Sequence, residues 1–456
     1  MAGSHRERSK DRSAKKLLLL LLCGYHSVVA RAWNNPHGYK VAAIGSRKAE
    51  AVCSVTPMSS SGATVPLNHR HGPCSPTPSA KVPTILELLQ HDKLRAKYIK
   101  QKLSGKNGTD GLQPLDLTVP TTLGSALDTL EYVITVGIGS PAVTQTMMID
   151  TGSDVSWVRC NSTDGVTLFD PSKSTTYAPF SCSSAACAQL GTQGNNCSSS
   201  GCQYSVQYFD GSNTTGTYGS DTLALSDADT VTDFHFGCSH HEEDFDEEKF
   251  DGLMGLGGDA PSLVSQTAAT YGKSFSYCLP PTNSTSGFLT FGAPNGTSGF
   301  VTTPMLRYTQ APTFYGVLLK DISVGGRPLR IQSSVFSSGS VMDSGTVITW
   351  LPRRAYSALS SAFRSGMTRY TRAAPVGILD NCYDFTGLSN ISVPTVELVF
   401  DGGAVMDLDF DGIMIEHCLA FAATSDESFI GNVQQRTFEV LHDVGQGVFG
   451  FRSGAC

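Results

Sequence analysis

The hydrophobic and polar positions divide the chain into two unlike parts. Residues 31–80 are rich in Ser, Pro and Gly and are expected to be irregular, and a segment of helical spacing follows, in which Leu88, Leu89 and Ile99 are among the recurring apolar positions. From residue 131 to the end, short apolar runs recur between Gly, Asn, Asp and Pro. This pattern predicts a body of many short strands, with helix candidates mainly at 263–269 and 355–367.

The segment of helical spacing begins at a capping sequence. Thr84 precedes Glu87 by three residues, directly after Pro83, which is the spacing of a capping box. The other face of this helix is basic, with Lys93, Arg95, Lys97, Lys100 and Lys102. Two interpretations follow: a solvated helix with no particular role, or an inhibitory prosegment whose lysines cover acidic groups of the body.

The start of the chain has the pattern of a secretory signal. Basic residues between Arg6 and Lys16 precede the apolar run Leu17–Leu22, and small residues follow around Ala30. The run is too short to span a bilayer, and no other segment looks transmembrane. We therefore expect a signal peptide at residues 1–30 and a soluble, secreted mature protein without stable membrane association; the alternative is an irregular start to a cytosolic chain.

Composition and charge exclude several functional classes. Of 456 residues, 40% are apolar and 16% charged, which argues against a disordered chain. The net charge of −7 hides a split, because residues 1–130 carry 18 Lys and Arg against 8 Asp and Glu, which leaves 15 against 32 for residues 131–456. So acidic a body is a poor binder of nucleic acid. A basic front suggests that it docks on the body or is removed.

Cysteines and glycosylation signals agree with export. Thirteen cysteines are present, and the ten after residue 131 are Cys160, Cys182, Cys187, Cys197, Cys202, Cys238, Cys278, Cys382, Cys418 and Cys456. An even number suits a closed disulfide framework, and the absence of a Cys-x-x-Cys pair argues against a metal site. Asn-x-Ser/Thr signals begin at Asn107, Asn161, Asn196, Asn213, Asn283, Asn295 and Asn390.

An internal repeat determines the predicted architecture. The run 148–158, Met-Ile-Asp-Thr-Gly-Ser-Asp-Val-Ser-Trp-Val, aligns with 341–351, Val-Met-Asp-Ser-Gly-Thr-Val-Ile-Thr-Trp-Leu. Asp150 and Asp343 each begin an Asp-[Thr/Ser]-Gly turn, and a Trp follows each Asp by seven residues. Two such copies, each after and before an apolar strand, predict two related lobes.

The repeat implies a specific chemistry. Glycine permits a tight turn and a close approach of the backbone, so two related turns can place two carboxylates side by side. Adjacent carboxylates do not both ionise cheaply and therefore share a proton. Such a pair is both base and acid: the ionised member takes a proton from water, while the protonated member polarises a carbonyl.

On these motifs, residues 132–456 resemble the pepsin-like aspartic proteases, and most closely the plant nepenthesin-type, or nucellin-like, group. The resemblance implies an all-β, bilobal fold with a central cleft and a few short helices. It implies a catalytic pair Asp150 and Asp343 that needs no metal or cofactor. The loop residues would be Thr151, Gly152, Ser153, Ser344, Gly345 and Thr346, with Ser153 and Thr346 bonded to the outer carboxylate oxygens and Thr151 and Ser344 joining the loops.

The same resemblance implies a flap that closes over the substrate. Residues 208–212, Tyr-Phe-Asp-Gly-Ser, match the flap motif, with Phe209 where Gly is usual. Tyr208, Gly211 and Ser212 would contact substrate, and Trp157 would hydrogen-bond Tyr208. Trp350 is expected to be a core anchor. The alternative for these residues is an ordinary structural role as strand aromatics, core anchors or turn residues.

Disulfide pairs are implied by the group's arrangement of cysteines. These are Cys182–Cys202 enclosing Cys187–Cys197, together with Cys278–Cys456 and Cys382–Cys418, and parity then adds Cys160–Cys238. The sequence 69–76, His-Arg-His-Gly-Pro-Cys-Ser-Pro, resembles the prosegment of the plant group. The saposin-like helical insert of plant vacuolar aspartic proteases is absent from the sequence.

The predicted organisation is therefore a signal peptide (1–30), a prosegment (31–130), an N-terminal lobe (131–299) and a C-terminal lobe (300–456). The predicted function is a secreted aspartic endopeptidase made as a zymogen, extracellular or vacuolar and monomeric, with protein or peptide substrates and its own prosegment as partners. A catalytically silent secreted binding or inhibitor protein on the same scaffold is the alternative. A DNA-associated chloroplast protease is disfavoured by the secretory start and the acidic body.

Overall fold

A computed structural model describes residues 38–43, 52–55, 62–78, 82–105, 132–160, 168–198, 201–209, 211–243, 245, 250–280, 282, 284–292 and 299–456. The predicted signal peptide and all of residues 106–131 lie outside these ranges, as do four of the seven glycosylation signals in whole or in part. No helix of the described residues has the length and apolar character needed to cross a membrane.

Strands dominate the described chain. In the N-terminal segment (residues 38–105) they are β1 (Tyr39–Ala43), β2 (Ser54–Val55) and β3 (Ala63–His69). The first half of the body contains β4 (Tyr132–Ile138), β5 (Val143–Asp150), β6 (Trp157–Arg159), β7 (Ala178–Pro179), β8 (Gly194–Ser198), β9 (Gly201–Gln207), β10 (Asn213–Ala224), β11 (Thr230–Glu243), β12 (Gly252–Gly255), β13 (Ser274–Cys278) and β14 (Thr285–Phe291).

The second half of the body continues in the same way. Its strands are β15 (Val301–Pro304), β16 (Leu306–Arg307), β17 (Tyr315–Val317), β18 (Leu319–Val324), β19 (Arg327–Pro328), β20 (Ser340–Met342), β21 (Thr349–Pro352), β22 (Asn390–Pro394), β23 (Val396–Phe400), β24 (Val405–Asp407), β25 (Met414–Ile415), β26 (Cys418–Leu419), β27 (Phe421–Thr424), β28 (Ser428–Ile430), β29 (Phe438–Asp443) and β30 (Val448–Ser453).

The α-helices are few and mostly short. They are α1 (Ile85–Leu103), α2 (Ala185–Gln189), α3 (Leu263–Gln266), α4 (Ala268–Tyr271), α5 (Arg353–Gly366), α6 (Phe410–Ile413) and α7 (Asn432–Gln435). Short 3₁₀ turns at 171–173, 191–193, 333–336 and 401–403 complete the description. The predicted all-β body and its helix candidates are confirmed.

Helix α1 begins where the capping sequence predicts. The Thr84 hydroxyl accepts the Glu87 amide at 3.3 Å, and the Glu87 carboxylate accepts the Thr84 amide at 2.7 Å. Both donors would otherwise lack a partner at the helix start. The face of α1 that carries Leu88, Leu89 and Ile99 is buried against the second half of the body.

The expectation that residues 31–80 are irregular is wrong. Strand β3 lies inside the largest sheet, where it pairs with β14 over six residues and with β4 over three. Its side chains Ala63, Val65 and Leu67 are buried in the main core. The alternation was short and contained Pro66, which weakens a strand prediction, and the partner β14 lies more than two hundred residues away in sequence.

The largest sheet joins the two halves of the body. Its order runs β15-β30-β29-β13-β14-β3-β4-β5-β12-β6-β11-β10-β9-β8, so strands of the second half pair with strands of the first through β29 and β13. A six-stranded sheet, β16-β17-β20-β28-β21-β27, forms the corresponding layer of the second half. Each catalytic-type turn therefore leaves its own sheet, and the shared sheet fixes the two halves relative to each other.

The disulfides agree with the predicted pairs except near α2. The structure contains Cys160–Cys238, Cys278–Cys456 and Cys382–Cys418, and also Cys53–Cys74 in the N-terminal segment. The predicted nested pairs Cys182–Cys202 and Cys187–Cys197 are wrong, because the bridges are Cys182–Cys197 and Cys187–Cys202.

The hairpin of β8 and β9 shows why the sequence did not determine this pairing. Strands β8 and β9 are antiparallel and place Cys197 directly opposite Cys202, so both thiols lie beside the segment that contains Cys182 and Cys187. Either choice closes the cysteine count, and four cysteines in a short segment allow three connectivities that sequence alone does not distinguish.

Candidate active site

The two Asp-[Thr/Ser]-Gly turns lie at equivalent places in their sheets. Asp150 ends β5, which runs parallel to β12, with Asp150 opposite Gly255. Asp343 follows β20, which runs parallel to β28, and its amide donates to the Ile430 carbonyl at 3.2 Å. The internal repeat is thus a structural repeat, and each acidic turn is supported by a strand from its own half.

The turns meet between the halves. The Ser344 amide donates to the Thr151 hydroxyl at 3.0 Å, the Thr151 amide approaches the Ser344 hydroxyl at 3.4 Å, and the two hydroxyl oxygens lie 3.2 Å apart. These bonds run between residues 193 positions apart in sequence. They fix the two turns to each other and bring Asp150 and Asp343 to the same point.

A single arginine of the N-terminal segment contacts both carboxylates. Arg95 Nη2 donates to Asp150 Oδ1 at 2.6 Å and to Asp343 Oδ1 at 2.7 Å, and its Nε donates to Asp343 Oδ2 at 2.6 Å. The side chains are 4%, 2% and 0% exposed, respectively. Charge-assisted bonds of this geometry are strong when water is excluded. Arg95 therefore occupies the space between the two acids.

Electrostatics match this contact. Burial raises the pKa of Asp343, but the Arg95 charge and the bonds from Arg95 and Thr346 outweigh it and leave the pKa below its ordinary value. Burial alone would lower the pKa of Arg95, yet the two carboxylates raise it. Arg95 thus lies between two carboxylates that would otherwise repel each other.

The glycines of the two turns permit this approach. A Cβ atom at Gly152 or at Gly345 would overlap the Arg95 guanidinium. Any other group that contacts both carboxylates from the cleft side would also clash with a Cβ atom at these two positions. The glycine of each turn therefore keeps the floor of the cleft open to a ligand.

The two turns are not equivalent in their outer hydrogen bonds. Thr346 Oγ1 donates to Asp343 Oδ2 at 2.5 Å, as expected. The expected bond from Ser153 is wrong for this state, because its buried hydroxyl has no hydrogen-bond partner among the described residues. Asp150 instead takes its described bonds through Oδ1, from Arg95 and from the Gly152 amide at 2.9 Å.

Three residues before Arg95, the same helix places a second charged group in the cleft. Asp92 is fully buried, and its carboxylate accepts the Val347 amide at 2.6 Å, the Ile348 amide at 3.3 Å and Trp350 Nε1 at 2.8 Å. Trp350 is thus more than the core anchor that its sequence position suggested. Burial raises the pKa of Asp92 to about 7, although the three donors oppose this shift.

The flap residues lie where the motif places them. Trp157 Nε1 donates to the Tyr208 hydroxyl at 2.7 Å. The Tyr208 amide donates to the Ser212 carbonyl at 2.8 Å, and Gly211 adopts a φ of 101° that favours glycine at the turn. Phe209 faces Arg95, whose Cζ lies 5.5 Å from the ring centroid. The flap therefore covers the arginine, with an aromatic face toward the cation.

The lysines of α1 contribute less than the basic pattern predicted. Lys100 pairs with Glu427 at 3.3 Å and with Asp426 at 3.8 Å. Lys93, Lys97 and Lys102 are exposed. On α1, the buried contact to acidic groups is thus made by Arg95.

Neither the described metal-type cluster nor the described cavity belongs to this site. Cys382, His417 and Cys418 lie close enough to bind an ion, but the two cysteines form a disulfide and offer no thiolate. A cavity of about 580 Å³ between β1 and the second half of the body is lined by Arg372 and Phe410, among others, and by neither Asp150 nor Asp343. The cleft above the acids is filled by α1.

Comparison with known proteins identifies the family. The family described as xylanase inhibitor N-terminal matches residues 132–293, and the one described as xylanase inhibitor C-terminal matches 314–453. An aspartyl protease family protein of Arabidopsis thaliana is 39% identical over 426 residues, which are 89% of this chain and 90% of that protein. The chain belongs to the plant pepsin-like aspartic protease family.

A further relative and a solved structure extend the comparison. Aspartic proteinase nepenthesin-1 of Nepenthes gracilis is 31% identical over 431 residues, 88% of this chain and 95% of that protein. Among solved structures, basic 7S globulin from soybean has a TM-score of 0.58 at 19% identity and covers 72% of this chain and 91% of its own. At that identity the likeness establishes the bilobal pepsin-like fold alone.

Sequence reasoning missed Arg95 and Asp92 as individual site residues. It placed Arg95 on the basic face of α1 and gave the covering role to lysines. A signal was present, because Asp92 and Arg95 fall at helical spacing with Leu88 and Ile99 on the face that packs against the body. Charged residues on the packed face of an amphipathic helix indicate a polar partner beneath it.

Proposed function

We propose that this protein is a secreted, monomeric aspartic endopeptidase made as a zymogen and active in acid. The observation that carries the proposal is the contact of Arg95 with both Asp150 and Asp343. Two buried carboxylates that meet across two turns are suited to hydrolysis of peptide bonds, and a cation from the same chain blocks them. The aspartyl protease names of the relatives support the same reaction class.

The position of Arg95 indicates where the hydrolytic water would bind. Arg95 Nη2 lies within hydrogen-bond distance of both Asp150 Oδ1 and Asp343 Oδ1. A water at that place, once the helix has left, would contact both carboxylates. The ionised acid would take a proton from this water as it attacks the carbonyl carbon, and the protonated acid would donate to the carbonyl oxygen. Collapse of the tetrahedral species with proton transfer to nitrogen releases the amine.

Latency at neutral pH follows from the same contact. In the docked state the pKa of Asp343 is lowered, so the stabilisation from Arg95 is present above the ordinary Asp value near 3.8 and is lost as pH falls through the lowered value. Asp92 acts in the opposite direction. Its pKa is raised to about 7 in the docked state, so its proton favours docking in acid. The acid-sensitive contact in the cleft is therefore the one between Arg95 and the dyad.

A silent binding protein on the same scaffold is the second candidate, because the matching family carries the description of a xylanase inhibitor. Two features favour the enzyme. Both aspartates are present and buried, with side chains 2% and 0% exposed. The chain also places its own arginine on both of them, as expected of a segment that blocks a reactive site.

Full-length protein incubated between pH 2.5 and 7 tests the proposal. We expect loss of an N-terminal part in acid, seen by mass spectrometry, together with cleavage of a denatured protein substrate. Asp150→Asn should lower the rate by roughly 10²–10⁴-fold, because it removes acid–base catalysis at the dyad. Absence of both processing and substrate cleavage at every pH, or an Asp150→Asn rate equal to wild type, would contradict the proposal.

A further inference from the structure

Strand β22 of the body pairs with a strand that comes from the N-terminal segment. Among the described strands its partner is β1, and the two form an antiparallel sheet of two strands that aligns Lys40 with Val393. The ladder extends one step further, because the Thr395 amide donates to the Gly38 carbonyl at 2.9 Å. Departure of the N-terminal segment would therefore leave this edge of β22 without its described partner, and such an edge is a template for another strand.

A lysine of β1 enters an acidic slot, formed by Asp407 and Asp409, beside this sheet. The Lys40 side chain is 3% exposed, and its Nζ lies 2.9 Å from Asp407 Oδ1 and 3.6 Å from Asp409 Oδ1. Both carboxylates belong to the body, one on β24 and the other directly before α6. Two neighbouring carboxylates repel each other and favour a cation between them. The body thus provides a specific place for a lysine beside β22.

Two positions further along β1, the same face of the strand reaches a cavity. Successive side chains of a strand point to opposite faces, so Lys40 and Ala42 lie on one face. Ala42 packs against the main core and lines the cavity of about 580 Å³ between β1 and the body. Tyr383, Phe385 and Phe410 are also part of its wall. The alanine therefore leaves space beside aromatic rings that a larger apolar side chain would fill.

We propose that, once the N-terminal segment has left, β22 binds an extended segment of another protein by strand addition. That segment carries a lysine and, two residues later, a large apolar side chain such as leucine. The lysine lies in the acidic slot, the apolar side chain enters the cavity, and the backbone pairs with β22. The inference rests on the proposed peptidase function, which removes β1. It concerns a surface to whose cavity neither Asp150 nor Asp343 contributes.

The fit of β1 itself explains why a different segment would bind better. Strand β1 supplies the backbone ladder and the lysine, but Ala42 leaves the cavity unfilled. Leucine in place of alanine would remove further apolar surface from water at this position, which is expected to raise affinity at least tenfold. A segment of the proposed pattern would therefore compete well with the departed β1 for the same edge.

Binding of short peptides to the acid-processed protein tests the proposal. Three labelled peptides are compared by fluorescence polarisation at about pH 6, where carboxyl groups of ordinary pKa are ionised. They are the chain's own residues 38–43, Gly-Tyr-Lys-Val-Ala-Ala, the same peptide with Ala42→Leu, and a control with Val41→Leu, whose position is 39% exposed in the chain. The Ala42→Leu peptide should bind at least tenfold more tightly than the other two. Absence of binding, or no advantage for Ala42→Leu, would overturn the proposal.

Further variants assign the binding to the acidic slot. Lys40→Met in the leucine peptide should lower its affinity several-fold, because the cation is lost. On the protein, Asp407→Asn should weaken binding of the leucine peptide in the same way. Asp401→Asn is the matched control, since that carboxylate pairs with Lys320 at 3.2 Å. Equal affinities of the Asp407→Asn and Asp401→Asn proteins would contradict a role for the slot.

A readout in the uncut chain needs no catalysis and separates this inference from the proposed function. Amide exchange of Ile391 and Val393, which lie opposite Ala42 and Lys40, is measured for wild type, Ala42→Leu and Val41→Leu. Exchange should be several-fold slower in Ala42→Leu and unchanged in Val41→Leu. Equal exchange in all three would refute the role of the cavity. If the chain never loses its N-terminal segment while Ala42→Leu slows exchange, the peptidase proposal fails and the strand-binding site stands.

Discussion

At the scale of single residues, the Arg95 guanidinium holds α1 on the dyad, and its removal should weaken this docking without changing the fold of the body. Arg95→Met keeps the length of the side chain but leaves two buried carboxylates without their cation. Losing one partner of a buried ion pair typically costs about 3–5 kcal/mol. Here the loss destabilises the state in which α1 is docked. We expect the pH of half-maximal processing to move toward neutral, measured by mass spectrometry across a pH series.

The matched control for this variant lies on the same helix. Lys97 is exposed, so Lys97→Met removes one cation of α1 without touching the dyad. Its processing pH should equal that of wild type. If the two variants shifted the processing pH equally, the general basicity of the helix and not the dyad contact would explain latency.

A buried histidine makes the stability of the folded protein depend on pH. His442 lies among aromatic rings, with centroids 4.4 Å from Phe275, 4.5 Å from Phe449 and 5.1 Å from Tyr315, and its burial lowers the pKa to about 3. The unfolded chain takes up a proton near pH 6.5 and the folded one does not. This contribution to stability is therefore complete above pH 6.5 and declines as pH falls toward 3.

His442→Phe should remove that acid-dependent decline. Compared with pH 7, the free energy of unfolding of the variant at pH 4 is expected to rise by about 3 kcal/mol relative to that of wild type. Urea unfolding at both pH values measures it. His241→Phe, at an exposed position, serves as the control. An equal effect of His442→Phe at both pH values would show that the ring is not held neutral.

At the scale of elements, β3 is a strand of the central sheet although it belongs to the N-terminal segment. Leu67 is fully buried between β4 and β14, whereas Pro66 is exposed. A charge at Leu67 would be buried without a partner, so Leu67→Asp should prevent secretion of folded full-length protein. Pro66→Ser should be secreted like wild type. Normal yield of folded Leu67→Asp protein would mean that β3 is dispensable for folding.

The crossed disulfides near α2 give an element-scale prediction of their own. Digestion under non-reducing conditions, followed by mass spectrometry, should yield peptides linked Cys182–Cys197 and Cys187–Cys202. Recovery of Cys182–Cys202 and Cys187–Cys197 instead would contradict the fold of this hairpin. Protein oxidised during secretion, and not refolded protein, is the appropriate sample.

The sequence predicted structure best where a motif repeats or where neighbouring residues determine the local conformation. The Asp150 and Asp343 turns, the capping box at Thr84 and the strand texture of the body were readable because each rests on neighbouring residues. It failed where distant partners decide. Strand β3 depends on its pairing with β14, and the roles of Arg95 and Asp92 depend on the groups beneath the helix. The cysteine pairs depend on how the segment that contains Cys182 and Cys187 packs against β8 and β9.

At the scale of the whole molecule, the charge split agrees with the contact between the N-terminal segment and the body. Helix α1 from the basic N-terminal segment fills the cleft of an acidic body, and it places a cation on the dyad and a carboxylate on three donors. The body thus binds its own segment through the two acids on which the proposed peptidase activity depends. The predicted division into lobes at residues 299 and 300, the export signal and the maturation site stay predictions.

The dependence of kcat/KM on pH, measured with a peptide substrate of the acid-processed protein, tests the shared-proton dyad most directly. A pair with one ionised and one protonated member predicts a rate that falls on both sides of an acidic maximum, with both limbs lost together with activity in Asp343→Asn. A rate that rises or falls in one direction only, or a profile that Asp343→Asn leaves unchanged, would contradict hydrolysis by these two carboxylates.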